Sequence, residues 1–330
     1  MFMTLSHQRG KSEYIYFVIT VAAIALLLCL PKVLSIYGVT LLTEIFIYSI
    51  FSMSLNLLIG YLGYTSLGHA TFFAVGGYAL ALLASKAGIQ NFFFCVAATL
   101  MVGAAFGLLL GLITMTVSGI YFLMITLATG QAFWAAVWSW RSFTGGDDGL
   151  SGISRPMLVA FGHRWPFSNE ITFYYLIFIF FILCLSLMYL IVKSPFGCAL
   201  LGIRNNEMRM RALGYNTWRY KYLCYVMAGM FGSLAGALKV YQDCFINASS
   251  ASITQSGLVL LMVVIGGARV FLGPVIGAFL IQIIANIVSS YTEYWSTMMG
   301  VALILSVMFF PEGIAGYAVR KVNPSTPQHK

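Results

Sequence analysis

The stretch Ile171-Thr172-Phe173-Tyr174-Tyr175-Leu176-Ile177-Phe178-Ile179-Phe180-Phe181-Ile182-Leu183-Cys184-Leu185-Ser186-Leu187-Met188-Tyr189-Leu190-Ile191-Val192 carries no charge over 22 residues, then gives way to Lys193-Ser194-Pro195-Phe196-Gly197. A helix needs about 20 apolar residues to cross the hydrocarbon core of a bilayer, so this run reads as a membrane span with a charged exit. The same reading extends outward over the chain. Further apolar runs lie at Tyr14–Leu30, Tyr37–Ile59, Thr65–Ala84, Asn91–Thr114, Gly119–Trp138, Tyr222–Val240, Ile253–Ala268, Leu272–Ser290 and Glu293–Phe310. They predict about ten spans in a single domain covering residues 1–330. Composition agrees: of 330 residues, 60% are hydrophobic and 8% charged, against ~25% charged in soluble domains. A water-facing globular enzyme is excluded, as is a disordered chain, which needs low hydrophobicity. The expected fold is all-α, a polytopic transmembrane helical bundle.

Two runs look irregular. Thr65–Ala84 is rich in small residues and reads as a broken or partly re-entrant helix; Ile253–Ala268 is short and ends in Gly266-Gly267. Non-helical backbone at membrane depth is tolerated only where protein or a water-filled cavity covers it. Tyr14–Leu30 follows Arg9 and Lys11 as a signal peptide would, but no small-x-small cleavage site follows. Leu26-Leu27-Leu28-Cys29 also lacks the small residue of a lipoprotein box. The run is therefore read as an uncleaved first helix.

The net charge is +9, and the basic residues gather at span ends. That pattern fits the lipid bilayer as partner, not nucleic acid. The segment 193–221 holds Lys193, Arg204, Arg209, Arg211, Arg219 and Lys221 against Glu207 alone. The positive-inside rule makes it cytoplasmic. Six spans precede it and four follow, so residues 1–13, with Arg9 and Lys11, and residues 311–330, with Arg320, Lys321 and Lys330, fall on the same side. Residues 139–170 form the largest loop on the opposite side, where Trp134, Trp138 and Trp140 suit an interfacial aromatic belt.

Catalytic and nucleotide-binding signatures are missing. Arg9-Gly10-Lys11-Ser12 resembles the end of a phosphate-binding loop, but Leu5 stands where its first glycine belongs. His7, His69, His163 and His329 have no metal-ligand spacing, and no G-x-S-x-G elbow occurs. The six cysteines form no C-x-x-C pair and read as small buried hydrophobes. Glu44 is the only acid well inside an apolar run, and is read as a structural pair member before a proton-relay residue. No cofactor and no metal is expected in this chain.

Leu200, Ile203, Met210 and Leu213 recur at spacings of three and seven, which places them on one helical face, and Gly214 fits a C-terminal cap. One reading is a basic amphipathic helix resting on anionic lipid. The other is a helix docking in the groove of a separate protein.

Four stretches decide between them by resemblance. They are Leu55-Asn56-Leu57-Leu58-Ile59-Gly60-Tyr61 with Ser66-Leu67-Gly68-His69-Ala70-Thr71-Phe72-Phe73; Thr144-Gly145-Gly146-Asp147-Asp148-Gly149-Leu150-Ser151-Gly152-Ile153; the segment Ser194–Asn216; and Val263-Val264-Ile265-Gly266-Gly267 with Gly273-Pro274-Val275-Ile276-Gly277-Ala278, then Pro311-Glu312-Gly313-Ile314. Their order and chemistry resemble the membrane subunits of bacterial ABC importers for branched-chain amino acids, within the hydrophobic amino acid uptake family, and most closely the second, M-type permease. Asn205 departs from the acidic residue usual in the family. Met208, Arg209 and Met210 replace small residues.

The resemblance implies an ABC importer permease in the bacterial cytoplasmic (inner) membrane. Its partners would be a second homologous permease, two ATP-binding subunits that carry ATP and Mg, and a periplasmic substrate-binding protein. It assigns ATPase coupling to Ile203, Arg204, Asn205, Asn206, Glu207, Met210, Arg211 and Gly214. It places Ser66, Gly68, His69, Gly145, Gly146 and Asp147 at the translocation path or gate. The residues alone leave His69 either a bond to a neighbouring helix or a path residue, and Thr144–Gly149 either turn chemistry or a gate. Branched-chain amino acids are the implied solute; other amino acids, urea and short amides share the architecture. A stand-alone secondary transporter or channel is the rival class, and ATPase and binding-protein genes beside this one would separate the two.

Overall fold

The computed structural model describes residues 26–89, 91–155, 157–160, 163–166, 169–291 and 313–322, with isolated positions between 297 and 308. The apolar runs become helices: α1 (Ile36–Asn56), α2 (Ala70–Ser85), α3 (Phe92–Thr114), α4 (Ile120–Ser139), α5 (Glu170–Lys193), α6 (Pro195–Asn205), α7 (Glu207–Ala212), α8 (Thr217–Asp243), α9 (Ile253–Gly266), α10 (Gly273–Ser289) and α11 (Gly313–Val322). Five are long and apolar enough to cross a membrane, α1 being counted with its extension to Leu62, and α2, α9 and α10 are shorter apolar helices. Most of the predicted first span and of the tenth, Glu293–Phe310, lies outside the described residues, as do residues 1–13.

Local chemistry sets the ends. The Asn91 side chain accepts from the Phe93 and Phe94 amides at the start of α3. Glu170 in the first turn of α5 and Lys193 in its last complement the helix dipole. Pro274 occupies the first turn of α10, where its missing N–H costs nothing.

Helices α1 and α8 form the centre. α8 packs on α2, α3 and α1, while α1 also meets α5, α9 and α10. A helix apolar on all sides belongs in the interior, and α1 is buried almost throughout. Its Phe46 ring sits 5.0–5.5 Å from Tyr174, Phe178 and Phe181 of α5. The crossing of α2 with α8 is close because a Cβ on Gly76 would collide with the Ser233 carbonyl, and one on Gly236 with that of Phe73. Small residues at such a contact are how helices associate where lipid removes the hydrophobic driving force. The faces of α3 and α4 left open carry Met101, Leu109, Tyr121 and Met124.

The structure bears out the break in the third run: Thr65–His69 is not helical and the helix begins at Ala70. It revises three other expectations. The loop 139–170 contains a helical turn, Arg141–Thr144, and an antiparallel hairpin that pairs β1 (Met157–Ala160) with β2 (His163–Pro166). The expected single amphipathic helix from Leu200 to Leu213 is two helices. Asn206 breaks it with an extended backbone (φ −162°, ψ 100°) and caps α7 by accepting from the Arg209 amide at 2.9 Å. Among the cysteines Cys95, Cys184 and Cys224 are buried, but Cys29 and Cys198 are exposed.

Candidate functional site

Helix α1 ends in an unusual way. Leu57–Leu62 forms a π-helical turn, closed by Gly63 in the left-handed region (φ +83°). The chain then runs without helix through Tyr64–His69. π-Turns within helices cost regular hydrogen bonding and recur at functional positions. Protein covers this break: Ser66 and His69 are buried. His69 Nε2 lies 2.8 Å from Ser54 Oγ, and its ring stacks 5.5 Å from Phe51. Its Nδ1 has no partner among the described residues. The Ala70 amide donates to Ser256 Oγ of α9 at 3.1 Å. Gly68 approaches α4 so closely that a Cβ would strike the Thr126 carbonyl, and Gly130 of α4 faces the Gly68 Cα. The Ser66–Ala70 stretch is thus the junction of α1, α4 and α9.

A second cluster gathers at the basic end. There α6 and α7 form a helical hairpin. Leu200 and Ile203 are turned into the bundle with Leu57, Leu58 and Tyr64. Met210 is half-buried over Gly202, whose Cβ, if present, would stand 2.7 Å from the Met210 sulfur. Leu213 is 67% exposed, so the four apolar positions do not share one face. Ile203 is therefore not free to enter a partner's groove; its chemistry is to seat the hairpin. Asn205, Asn206, Arg211 and Gly214 are exposed, with Met208, Arg209 and Leu213 beside them. Gly214 (φ +87°) ends α7 in a Schellman arrangement: its amide donates to the Arg211 carbonyl at 2.9 Å, and that of Tyr215 to the Met210 carbonyl at 3.1 Å.

Polar bonds tie this hairpin to the break. Arg204 donates to the Gly60 carbonyl in the π-turn. Glu207 Oε1 accepts from Arg211 (2.6 Å), Thr217 (2.9 Å) and Lys221 (3.0 Å). Lys221 Nζ also donates to the Tyr64 hydroxyl at 3.2 Å. Tyr64 Oη approaches Glu207 Oε2 at 3.5 Å, and its ring meets Phe122 of α4 edge-on at 5.0 Å. Burial by itself would raise the Glu207 carboxyl, but the hydrogen bonds from Lys221, Arg211 and Thr217 outweigh it and hold the group below the usual glutamate range. Lys221 and Tyr64 were not among the expected site residues. In sequence Lys221 is one more topological charge, and only the 4% exposure of its residue marks it as different.

At the opposite end a cavity of about 790 Å³ opens between α4, the loop after it and the start of α9. Gln131, Trp134 and Trp138 of α4 line one wall, Gln255 and Leu258 of α9 another, and Asp147 reaches in from the loop. Gly145 and Gly146 are not in its wall. They take left-handed backbone (φ +79° and +63°), and the Gly146 amide donates to Thr144 Oγ1. The loop is clipped in place by the Leu150–Ile246 backbone pair at 2.8 and 3.1 Å, and Lys86 donates to the Ser142 and Phe143 carbonyls. The expected path residues thus fall in two places: Ser66, Gly68 and His69 at the break, Gly145, Gly146 and Asp147 beside the cavity. Glu44 pairs with Lys239 at 2.9 Å, and Lys239 also holds Asp243 at 2.9 Å. Among the described residues no group of three or more His, Cys, Asp or Glu side chains is placed to hold a metal ion.

A helical bundle with five helices long and apolar enough to cross a membrane among its described residues, one of them ending in a break, is that of a multi-pass membrane protein. The model of the family described as "Branched-chain amino acid transport system / permease component" matches residues 37–308, and the chain belongs to that family. It is 27% identical to the high-affinity branched-chain amino acid transport system permease protein LivM of Salmonella typhimurium, over 86% of this chain and 71% of that protein. It is also 27% identical to LivM of Escherichia coli, over 89% and 73%. A probable branched-chain amino acid transport permease protein, LivH, of Methanocaldococcus jannaschii is 22% identical over 44% of this chain and 48% of its own. No solved structure matches.

Proposed function

We propose that this chain is the M-type permease subunit of an ATP-driven importer for branched-chain, hydrophobic amino acids. It forms the translocation path with a second, homologous permease. Two separate ATP-binding subunits drive it, and a periplasmic binding protein delivers the solute. The chain itself holds no ATP or Mg; both belong to the ATPase subunits. The basic segment 193–221 and both termini face the cytoplasm, and residues 139–170 face outward.

The single observation that carries this reading is the α6–α7 hairpin. It is seated on the bundle through Leu200, Ile203, Arg204 and Glu207. Asn205, Asn206, Met208, Arg209 and Leu213 are left open on its far side. A seated element with an open polar–apolar surface is suited to being gripped and moved as a unit, which a helix merely resting on lipid does not require. The cavity supports the solute class. Trp134, Trp138 and Leu258 offer an apolar wall, while Asp147, Gln131 and Gln255 offer polar ends. A zwitterion with an aliphatic side chain needs both.

The test is reconstitution. The chain, its partner permease, the ATPase and the binding protein are placed in liposomes with ATP inside, and labelled leucine uptake is followed. ATP-dependent uptake that needs the binding protein supports the proposal. Uptake by the purified chain alone on an ion gradient rejects it.

A further inference from the structure

We propose that Tyr64, held by Lys221 and Glu207, is the positioning link through which movement of the α6–α7 hairpin reaches the helix break at Ser66–His69 and the α4 wall of the cavity. This rests on the importer reading above and names the route by which that importer would be driven.

Four observations carry it. The carboxylate of Glu207 belongs to the first turn of α7, while its partners Thr217 and Lys221 belong to the first turns of α8. The hairpin therefore cannot shift without loading α8 or breaking this cluster. Lys221 is buried and bonds both Glu207 and Tyr64, so the charge cluster ends on a residue of the non-helical stretch. Tyr64 in turn bears on Phe122, which is fully buried near the start of α4. Further along α4, Gly130 meets Gly68, while Gln131, Trp134 and Trp138 line the cavity. A rigid helix carries a displacement at one end to the other.

The segment between is built to bend. The π-turn Leu57–Leu62 and the left-handed Gly63 replace regular helix directly before Tyr64. Arg204 attaches the hairpin to the π-turn at Gly60, and its Cγ would stand 2.9 Å from a Cβ on Gly63. The hairpin thus holds both sides of the bend: the π-turn through Arg204, and the exit through Glu207, Lys221 and Tyr64. A charge-bearing link at a bend is a two-state element when its bonds are made in one arrangement and exchanged in another.

The test uses the complete importer in liposomes, reading leucine moved per ATP hydrolysed, the KM for ATP, and ATPase co-purification. Tyr64→Phe and Lys221→Met should leave co-purification and the KM for ATP as in the wild type. Leucine moved per ATP should fall roughly tenfold, the loss expected when a hydrogen bond to a charged group is removed. Glu207→Lys should lower the ratio further, and Glu207→Lys with Lys221→Glu should recover part of it. A purely structural role would instead lower assembly yield and leave the ratio of surviving complexes unchanged. A wild-type ratio in both single variants overturns the link while leaving the importer reading intact. If either single variant fails to assemble, the charge-exchanged pair decides, since a ratio no better than Glu207→Lys alone overturns the proposal. A wild-type chain that co-purifies with no ATPase overturns the importer reading and the link together.

Discussion

Ile203 is 3% exposed and packs with Leu57, Leu58 and Leu200 where the hairpin meets the π-turn. Trimming it to alanine removes buried methyl groups and leaves a cavity, a loss of about 2–5 kcal/mol. At the lower bound, with tenfold per 1.36 kcal/mol, local opening of the hairpin rises roughly 30-fold. Amide hydrogen exchange followed by mass spectrometry on peptides covering residues 207–213 measures this opening in the purified membrane protein. Met208→Ala is the matched control, because Met208 is 74% exposed and supports nothing beneath it. The expected outcome is faster exchange across α7 for Ile203→Ala, unchanged exchange for Met208→Ala, and unaltered protection in the middle of α8. Equal exchange in both variants would show that the hairpin is not seated by its buried face, and the distinction between a seated and an open surface would fail.

Three further perturbations follow from the same geometry. Gly68→Ala drives a methyl group into the Thr126 carbonyl and should destabilise by about 1–3 kcal/mol, as overpacking does. The check is a lower Tm in detergent than Gly257→Ala, where a Cβ meets open space. Lys239→Met leaves the Glu44 and Asp243 carboxylates without their cation; because these side chains are partly exposed, the loss should fall between the ~1 kcal/mol of a surface pair and the ~3 kcal/mol of a buried one, and adding Glu44→Gln should recover part of the lost Tm. The Glu207 carboxyl is held below its ordinary value, so its stabilisation is fully present above the unfolded-state pKa and is lost as pH falls through the folded one. Hairpin exchange rates, corrected for intrinsic chemistry, should therefore stay flat through neutral pH and rise only in acid, while Glu207→Gln should show no such rise.

Much of the bundle was legible because apolar runs of span length admit few alternatives: the described helices α1–α5 and α8–α10 fall where hydropathy placed them. The small residues of Thr65–Ala84, Gly68 among them, also signalled the break before Ala70. What the sequence hid were features fixed by partners distant along the chain. Leu200, Ile203, Met210 and Leu213 satisfy the spacing of one helix, and that regularity masked the stronger local signal of Asn206, whose side chain caps a new helix from Glu207. The hairpin at 157–166 lies in a loop read for its side of the membrane and for the turn at Thr144–Gly149, and its four-residue strands leave little alternation to detect. Glu44 reads as a paired acid, but nothing local names Lys239, which lies on another helix. Lys221 counted toward topology with the other basic residues, although it is buried and bonded to Tyr64 and Glu207.

The central claim is that a separate ATP-hydrolysing subunit grips the open side of the α6–α7 hairpin. The direct measurement is site-specific cross-linking from Met208→Cys in the co-expressed importer, with membrane-impermeant labelling of intact cells in parallel. The expected result is a cross-link from position 208 to the ATPase subunit and no labelling from outside. Labelling of the Met208→Cys variant from outside, or failure of that position to cross-link to an ATPase present in the purified assembly, would contradict it.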